Sequence, residues 1–379
     1  MSLFSKLSWS KSKTPFIVIG VILLLIAIRL ALPPVGKYYI NKTLKNGVAG
    51  YFGQIEDFDL TLILGSYTIE GLVLRKAETI DKIRVDQPPY LVISSLNFRV
   101  FWKPLLKGNL RGKVEIQNAT VNLVHDPASE YSQTGAEGGG KGWLPTADAL
   151  FPLTIEDVRI HDSEIRFVNP AAKPPIDLSI KKIEVIAENI TNGLEHDKKL
   201  PSRLDFTAIV PDAGALKFFS EFNLNKKPTP FNLDANMVLD NLHALNPFFT
   251  YYMNFDVAEG KLSLSSEVAG NDNCMKGYVK PVLENLDFTE RGENYTSVGN
   301  FFIEQGLALA NFIIRFYPKD RTATKIEFEK NYDDFSIDTW KTISGFFRNA
   351  FVQAYTPKID HQLDVDDASQ RCMTKKKEG

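Results

Sequence analysis

The sequence predicts a mainly β fold: an elongated, twisted antiparallel β-sheet forming a groove, with a few amphipathic helices and one N-terminal transmembrane helix. Three observations predict it. Apolar and polar residues alternate at period two through most of the chain after Asp57, which gives each strand a single greasy face. The alternating runs are short, numerous and bounded by Gly, Asn, Asp and Ser, as in an antiparallel meander. One stretch alone breaks this pattern by being apolar almost throughout: Phe16 to Leu32, FIVIGVILLLIAIRLAL.

That stretch comes first in the chain and ends against Pro33-Pro34. From Pro15 it gives about 18 residues, or roughly 27 Å of helix, enough to cross the hydrocarbon layer of a bilayer. Arg29, its one charge, lies within a turn of the end and can snorkel to the interface. Lys6, Lys11 and Lys13 precede it, which favours a cytoplasmic N-terminus, although Lys37, Lys42 and Lys45 follow it. A cleaved signal peptide is the competing reading; no small-x-small site follows the run, so an uncleaved anchor is expected. The expected division is a cytoplasmic 1–14, an anchor at 15–34, a β-domain at 35–357 and a charged, disordered tail at 358–379. On this reading the bulk of the chain faces the far side of a membrane.

Composition excludes several classes. With 379 residues, 44% hydrophobic, 24% charged and a net charge of -2, the chain is neither disordered nor multi-spanning. Near-neutral charge leaves no electrostatic footprint for nucleic acid. Cys274 and Cys372 form no CxxC pattern; an oxidising compartment could join them, but Cys372 lies in a polar tail and a structural disulfide is not expected. Asn41, Asn118, Asn189 and Asn294 begin glycosylation-type tripeptides, which arise often by chance.

After the anchor, Gly36 to Tyr51 has helical spacing at Tyr39, Ile40, Leu44 and Val48 and reads as a short separate helix. The period then switches to two. Phe58, Leu60, Leu62 and Leu64 alternate, followed past Gly65-Ser66 by Tyr67 and Ile69, and past Gly71 by Leu72 and Leu74. Leu96, Phe98 and Val100 form the next run; Val114 and Ile116 precede Asn118-Ala119, and Val121 and Leu123 follow. Further strands are expected at 153–155, 158–160 and 165–167, a series broken by Asp157 and His161-Asp162, and at 176–180, 183–187, 204–210, 218–224, 231–239, 262–268 and 324–329. Ser129 to Gly142 is polar and glycine-rich, a flexible loop without P-loop spacing. Three helices are expected: Leu242 to Phe255, opened by Pro247, then Val298 to Phe316, then Ile337 to Tyr355 with its apolar residues on one face.

No catalytic constellation emerges. The five histidines are scattered, and His125-Asp126 and His161-Asp162 read as strand-end turns rather than metal ligands. There is no GxSxG elbow, and Asp333-Asp334 and Asp366-Asp367 read as solvated loop charge. Tyr251-Tyr252 reads as packing rather than a stacking platform. No enzyme activity, metal or cofactor is expected. What stands out is a surplus of one-sided strands over helices to cover them, and apolar faces must be buried against something. Either the sheet folds over into a closed sandwich, or it curls into a gutter that acyl chains can fill, at roughly 0.8 kcal/mol per buried CH₂.

Several stretches resemble the AsmA-like envelope proteins of Gram-negative bacteria, in the branch with a periplasmic domain of unknown function. These are FDLTLILGSYTIEGLVL after the anchor, LVISSLNFRVFWKPLLKGNLRGKVEIQNATVNLVHD with its turn at Pro104 to Gly108, LTIEDVRIHDSEIRFVNP, and LHALNPFFTYYMNFDVAEGKLSLSSEV with Gly260 in the expected place. GYVKPVLENLDF and TWKTISGFFRNAFVQAYTPK are also similar, so most of residues 15 to 357 is covered. The resemblance implies an inner-membrane-anchored periplasmic β-groove, similar in architecture to chorein-type lipid-transfer proteins and connected with phospholipid transport and outer-membrane homeostasis. Some 15 stacked strands would reach roughly 70 Å, short for a complete bridge by one copy.

The expected ligand is therefore a phospholipid or other acyl-chain lipid, with Leu60, Leu62, Leu96, Phe98, Val114, Ile116, Leu262 and Leu264 lining the groove. Ordinary core packing is the competing role for each. The alternative for the whole is a closed β-sandwich scaffold that binds envelope proteins without carrying lipid, docking through the helices at 242–255 and 337–355, where Phe347 and Phe351 would contact the partner.

Overall fold

The computed structural model describes residues 14–48, 50–61, 65–77, 86–107, 110–125, 153–191, 198–226, 229–253, 256–271, 274–288, 321–323, 325–331, 359 and 363–366. Among them fourteen strands form one sheet. They are β1 (Tyr51–Gln54), β2 (Asp57–Thr61), β3 (Ser66–Lys76), β4 (Leu91–Val100), β5 (Leu110–Val124), β6 (Leu153–Asn169), β7 (Ile176–Thr191), β8 (Ser202–Val210), β9 (Gly214–Phe222), β10 (Phe231–Leu239), β11 (Val257–Asn271), β12 (Cys274–Phe288), β13 (Arg321–Ala323) and β14 (Ile326–Asn331). From β3 to β12 each strand pairs with the next in sequence; β1 and β2 both pair with β3, and β13 and β14 with β12. Hairpin pairing of sequence neighbours is what one-sided strands joined by short turns favour.

One pair departs from the expected meander. β5 and β6 are parallel, with Val114 beside Val158 and Leu123 beside Phe167. Parallel neighbours need a crossover long enough to return the chain to its starting end. Residues 125–152 make that connection, and the glycine-rich loop expected at 129–142 falls within it, outside the described residues.

Several expected short strands are halves of long ones. β5 joins the runs on either side of Asn118, β6 those on either side of Asp162, and β7 those on either side of Lys182. Each of these residues has a left-handed backbone (φ 52°, 47° and 48°), as does Gly71 on β3 (φ 60°). A left-handed residue interrupts the pleat without ending the strand. His161 and Asp162 therefore lie inside β6, not at a strand end. His161 Nδ1 is 2.7 Å from Glu184 Oε2 on β7, and the Asp162 amide donates to Glu184 Oε1 at 2.8 Å.

The N-terminal helix α1 (Thr14–Asn46) is continuous through Pro33 and Pro34, where the sequence suggested two helices. Two prolines remove two helical hydrogen bonds, but the sheet holds the helix on both sides of them. Arg29 pairs with Asp59 at 2.8 Å before them. After them, Asn41 accepts from the Ile55 amide at 2.7 Å and donates to the Ile55 carbonyl at 3.2 Å. Arg29, still partly exposed, is thus bonded to β2. The described side chains of residues 19–28, by contrast, are all exposed. Among the described residues no helix is long and apolar enough to cross a membrane; the side chains of 14–18, 21, 22 and 25, all within or beside the apolar run, lie outside that set.

Two short helices complete the described fold. α2 (Trp102–Leu105) follows β4. A 3₁₀ turn (Leu242–Leu245) leads into α3 (Asn246–Met253), within the expected helical stretch. Asn246 fastens α3 to β11, accepting from the Val257 amide at 2.9 Å, and α3 packs against β7. The helices expected at 298–316 and 337–355, with Phe347 and Phe351, lie outside the described residues.

The described residues 363–366 of the tail are ordered against the sheet, where a disordered segment was expected. Val365 is 2% exposed, the Leu363 amide donates to Glu267 Oε1 on β11 at 2.7 Å, and Asp366 pairs with Lys199. Cys274 at the start of β12 is disulfide-bonded, although the sequence offers no reason to expect a structural disulfide. The sequence view failed here because the tail's polarity says nothing about Val365 and Leu363, the apolar residues that seat it.

Candidate functional site

Directly opposed residues of neighbouring strands share a face, so the pairing register sorts side chains into rows across the sheet. One row runs Leu60, Tyr67, Phe98, Val114, Val158, Ala187, Leu204, Ser220, Leu233, Val268. The next, two residues along each strand, runs Phe58, Ile69, Leu96, Ile116, Ile160, Val185, Phe206, Phe218, Ala235, Ser266. Leu264 and Leu262 lie on the same face of β11, opposite Met237 and Leu239 of β10. Five expected lining residues of the N-terminal strands (Leu60, Leu96, Phe98, Val114, Ile116) are thus brought together, and the pair on β11 extends the same face. Leu62 lies outside the described residues.

The left-handed residues explain how this face continues along the strands. In β3 the apolar positions are 67 and 69 before Gly71 but 72 and 74 after it; in β5 they are 114 and 116, then 119, 121 and 123. β4, β6 and β7 shift by one position at the same level: Leu96 and Ile93, Ile160 and Ile165, Val185 and Ile180. The interrupted pleat and the shifted pattern offset each other, so Leu74, Leu91, Val121, Ile165 and Ile180 form another opposed apolar row beyond the seam. Ile93 and Ile183, beside the seam, are buried.

Leu60, Leu96, Phe98, Val114, Ile116, Phe206, Phe218, Leu262 and Leu264 are neither buried nor fully exposed, whereas Ala187, Ser220, Leu239 and Ser266 on the same face are buried. Aromatic contacts order it. Tyr67 stacks on Phe98 with centroids 5.1 Å apart, and Phe206 on Phe218 at 4.4 Å. Burial raises the Tyr67 phenol above its ordinary pKa. The phenylalanine pair was missed as a site because alternation places Phe206 and Phe218 on strand faces without saying that the two strands put them opposite each other.

The serines on this face show its character. Ser163 donates to the His161 carbonyl (3.1 Å), Ser202 to that of Asn189 (2.7 Å), Ser220 to that of Asn232 (2.8 Å) and Ser266 to that of Tyr278 (2.8 Å). Each hydroxyl is turned back into the sheet, so it presents no unmet donor to whatever lies above. Between β5 and β8 the opposite face is charged. Asp157 accepts from Lys113 (3.3 Å) and Arg159 (3.1 Å), Arg166 pairs with Asp177, and Arg203 pairs with Asp205 at 2.7 Å. The Arg166 hydrogen bond lowers the Asp177 pKa; at Asp157 burial acts to raise it, but the bonds from Arg159 and Lys113 leave it lowered.

Chemically, one face can hold hydrocarbon, while the other is charged between β5 and β8 and buried on β11 and β12, where Ser265, Glu267, Tyr278, Lys280 and Val282 lie. Among the described residues no group of three or more His, Cys, Asp and Glu could hold a metal ion. Tyr251 is exposed on α3, and the Tyr252 side chain lies outside the described residues. No protein-family model matches the chain, and no curated protein matches its sequence.

Proposed function

We propose that this chain is a membrane-anchored, periplasmic carrier that holds acyl-chain lipid against the apolar face of its sheet and assists phospholipid transport or outer-membrane homeostasis. The observation that carries the reading is the apolar face itself. It runs from β2 to β11, keeps its side through the seam, and turns its serine hydroxyls into the backbone. Such a face needs apolar cover, and hydrocarbon supplies it without directional contacts. The exposed apolar side chains of α1 between Ile19 and Ile28 support the anchor in the same way. The Cys274 disulfide suits an oxidising compartment such as a periplasm. The AsmA-like pattern of the sequence agrees with each of these.

The closed-scaffold alternative needs a second layer over this face; all fourteen described strands lie in one sheet, which favours the carrier. The path from β1 to β13 stacks to roughly 50 Å at about 4.8 Å per strand, so a single copy acts as a shuttle or part of a bridge. The test is to introduce Phe98→Asp and Leu264→Asp, purify the full chain in gentle detergent, and identify bound lipid by mass spectrometry. Loss of co-purifying lipid from a folded variant is expected; unchanged lipid content in a folded variant would count against the apolar face as its site.

A further inference from the structure

A second apolar surface lies at one end of the sheet. β1 and β2 run antiparallel to α1: Ile55 is bonded to Asn41, Phe58 lies against Gly36, and Asp59 pairs with Arg29. Each step along β2 therefore moves toward the apolar run of α1. Past Asp59 the strand reaches Thr61, in register with Ser66 on β3; Ser66 is in register with Arg99 on β4, and α2 follows at Trp102. The end of the sheet that carries α2 is thus the end directed toward residues 16–28. There Trp102, Leu105 and Leu106 are 46%, 39% and 86% exposed, with Lys103 and Lys107 exposed beside them.

We infer that α2 is a membrane foot. Trp102, Leu105 and Leu106 insert at the boundary between headgroups and acyl chains in the leaflet from which α1 emerges, and Lys103 and Lys107 meet the phosphates of anionic phospholipid. A tryptophan and leucines flanked by lysines are the side chains that partition to that depth. Arg29 fits the same placement. It sits inside the apolar run but is paired with Asp59, so the sheet end can approach the bilayer without bringing an uncompensated charge. The row Leu60, Tyr67, Phe98, Val114 is nearest this end, so an acyl chain could pass from the leaflet onto it without crossing water. This inference rests on the anchored reading of α1.

The test uses the full chain in nanodiscs of phosphatidylethanolamine and phosphatidylglycerol, unreduced so that only an introduced cysteine takes an environment-sensitive fluorophore. Labels go at Leu106→Cys, at Leu24→Cys in the apolar run, and at Asp212→Cys in the turn at the opposite end of the sheet. Lipid-like emission is expected at 24 and 106, with quenching by lipid-borne nitroxide, and water-like emission at 212. Replacing phosphatidylglycerol by a neutral lipid should reduce the signal at 106 several-fold less in Lys103→Glu/Lys107→Glu than in the parent. Water-like emission at 106 with lipid-like emission at 24 overturns the foot and leaves the anchor standing; water-like emission at 24 overturns the anchor. A label at 106 unaffected by lipid nitroxide yet shielded from water, as under a protein contact, also overturns the foot. Circular dichroism of each labelled variant confirms that the sheet is intact.

Discussion

Asn118 on β5 and Asp162 on β6 stand side by side, one step past the parallel pair Gln117 and His161, and both have left-handed backbones. Two strands that interrupt their pleat at one level can each shift their apolar pattern by one residue and still share a face.

A β-branched residue tolerates that backbone poorly. Asn118→Val and Asp162→Val should each destabilise the domain by about 1–2 kcal/mol, whereas Asn118→Gly should change it little. Urea denaturation of the three variants measures the difference. Equal stability for Val and Gly at 118 would remove the seam from the account of the apolar face.

Asn41 should matter more than its exposed neighbours on α1. Its side chain satisfies both the amide and the carbonyl of Ile55, a residue 4% exposed. Asn41→Ala leaves both groups without that partner and should cost about 1–3 kcal/mol. Asn41→Asp keeps the acceptor and should recover part of the loss. Hydrogen exchange at the Ile55 amide, faster in the alanine variant and intermediate in the aspartate one, checks the order.

Reduction should loosen the C-terminal segment first. Breaking the Cys274 disulfide, or Cys274→Ser, should lower stability by about 2–4 kcal/mol and release Leu363 to Asp366 from β11. Exchange at the Leu363 amide, held by Glu267, reports the release directly. Unchanged protection there after reduction would show that Val365 and the Lys199–Asp366 pair hold the segment unaided.

The two faces should titrate at opposite ends of the pH scale. Burial raises the Tyr67 phenol, so its share of stability is complete below the ordinary tyrosine pKa near 10 and is lost as pH rises through the raised value. Asp157 and Asp177 are lowered, so theirs is complete above the ordinary aspartate pKa near 4 and is lost as pH falls through the lowered values. The difference in phenolate absorbance between the parent and Tyr67→Phe isolates this tyrosine, and filling the face with lipid should move its titration further up. No movement on lipid addition would place the lipid elsewhere.

The sequence by itself determined that this chain makes one-sided strands, that Leu60, Leu96, Phe98, Val114 and Ile116 lie on their greasy sides, and that the first helix carries an apolar run. Those are local properties, set by period two, turn residues and hydropathy, and each is readable within a dozen residues. It misread Asn118, Asp162 and Lys182 as breaks between strands, because a polar residue where the alternation shifts looks the same whether the chain turns back or merely changes the phase of its pleat. Only the tertiary structure decided that the halves are continuous, that β5 and β6 run parallel, that Phe206 stacks on Phe218, and that Arg29 answers Asp59. Each of these depends on register between distant segments, and register is fixed by the summed pairing of whole strands rather than by the residues of either one.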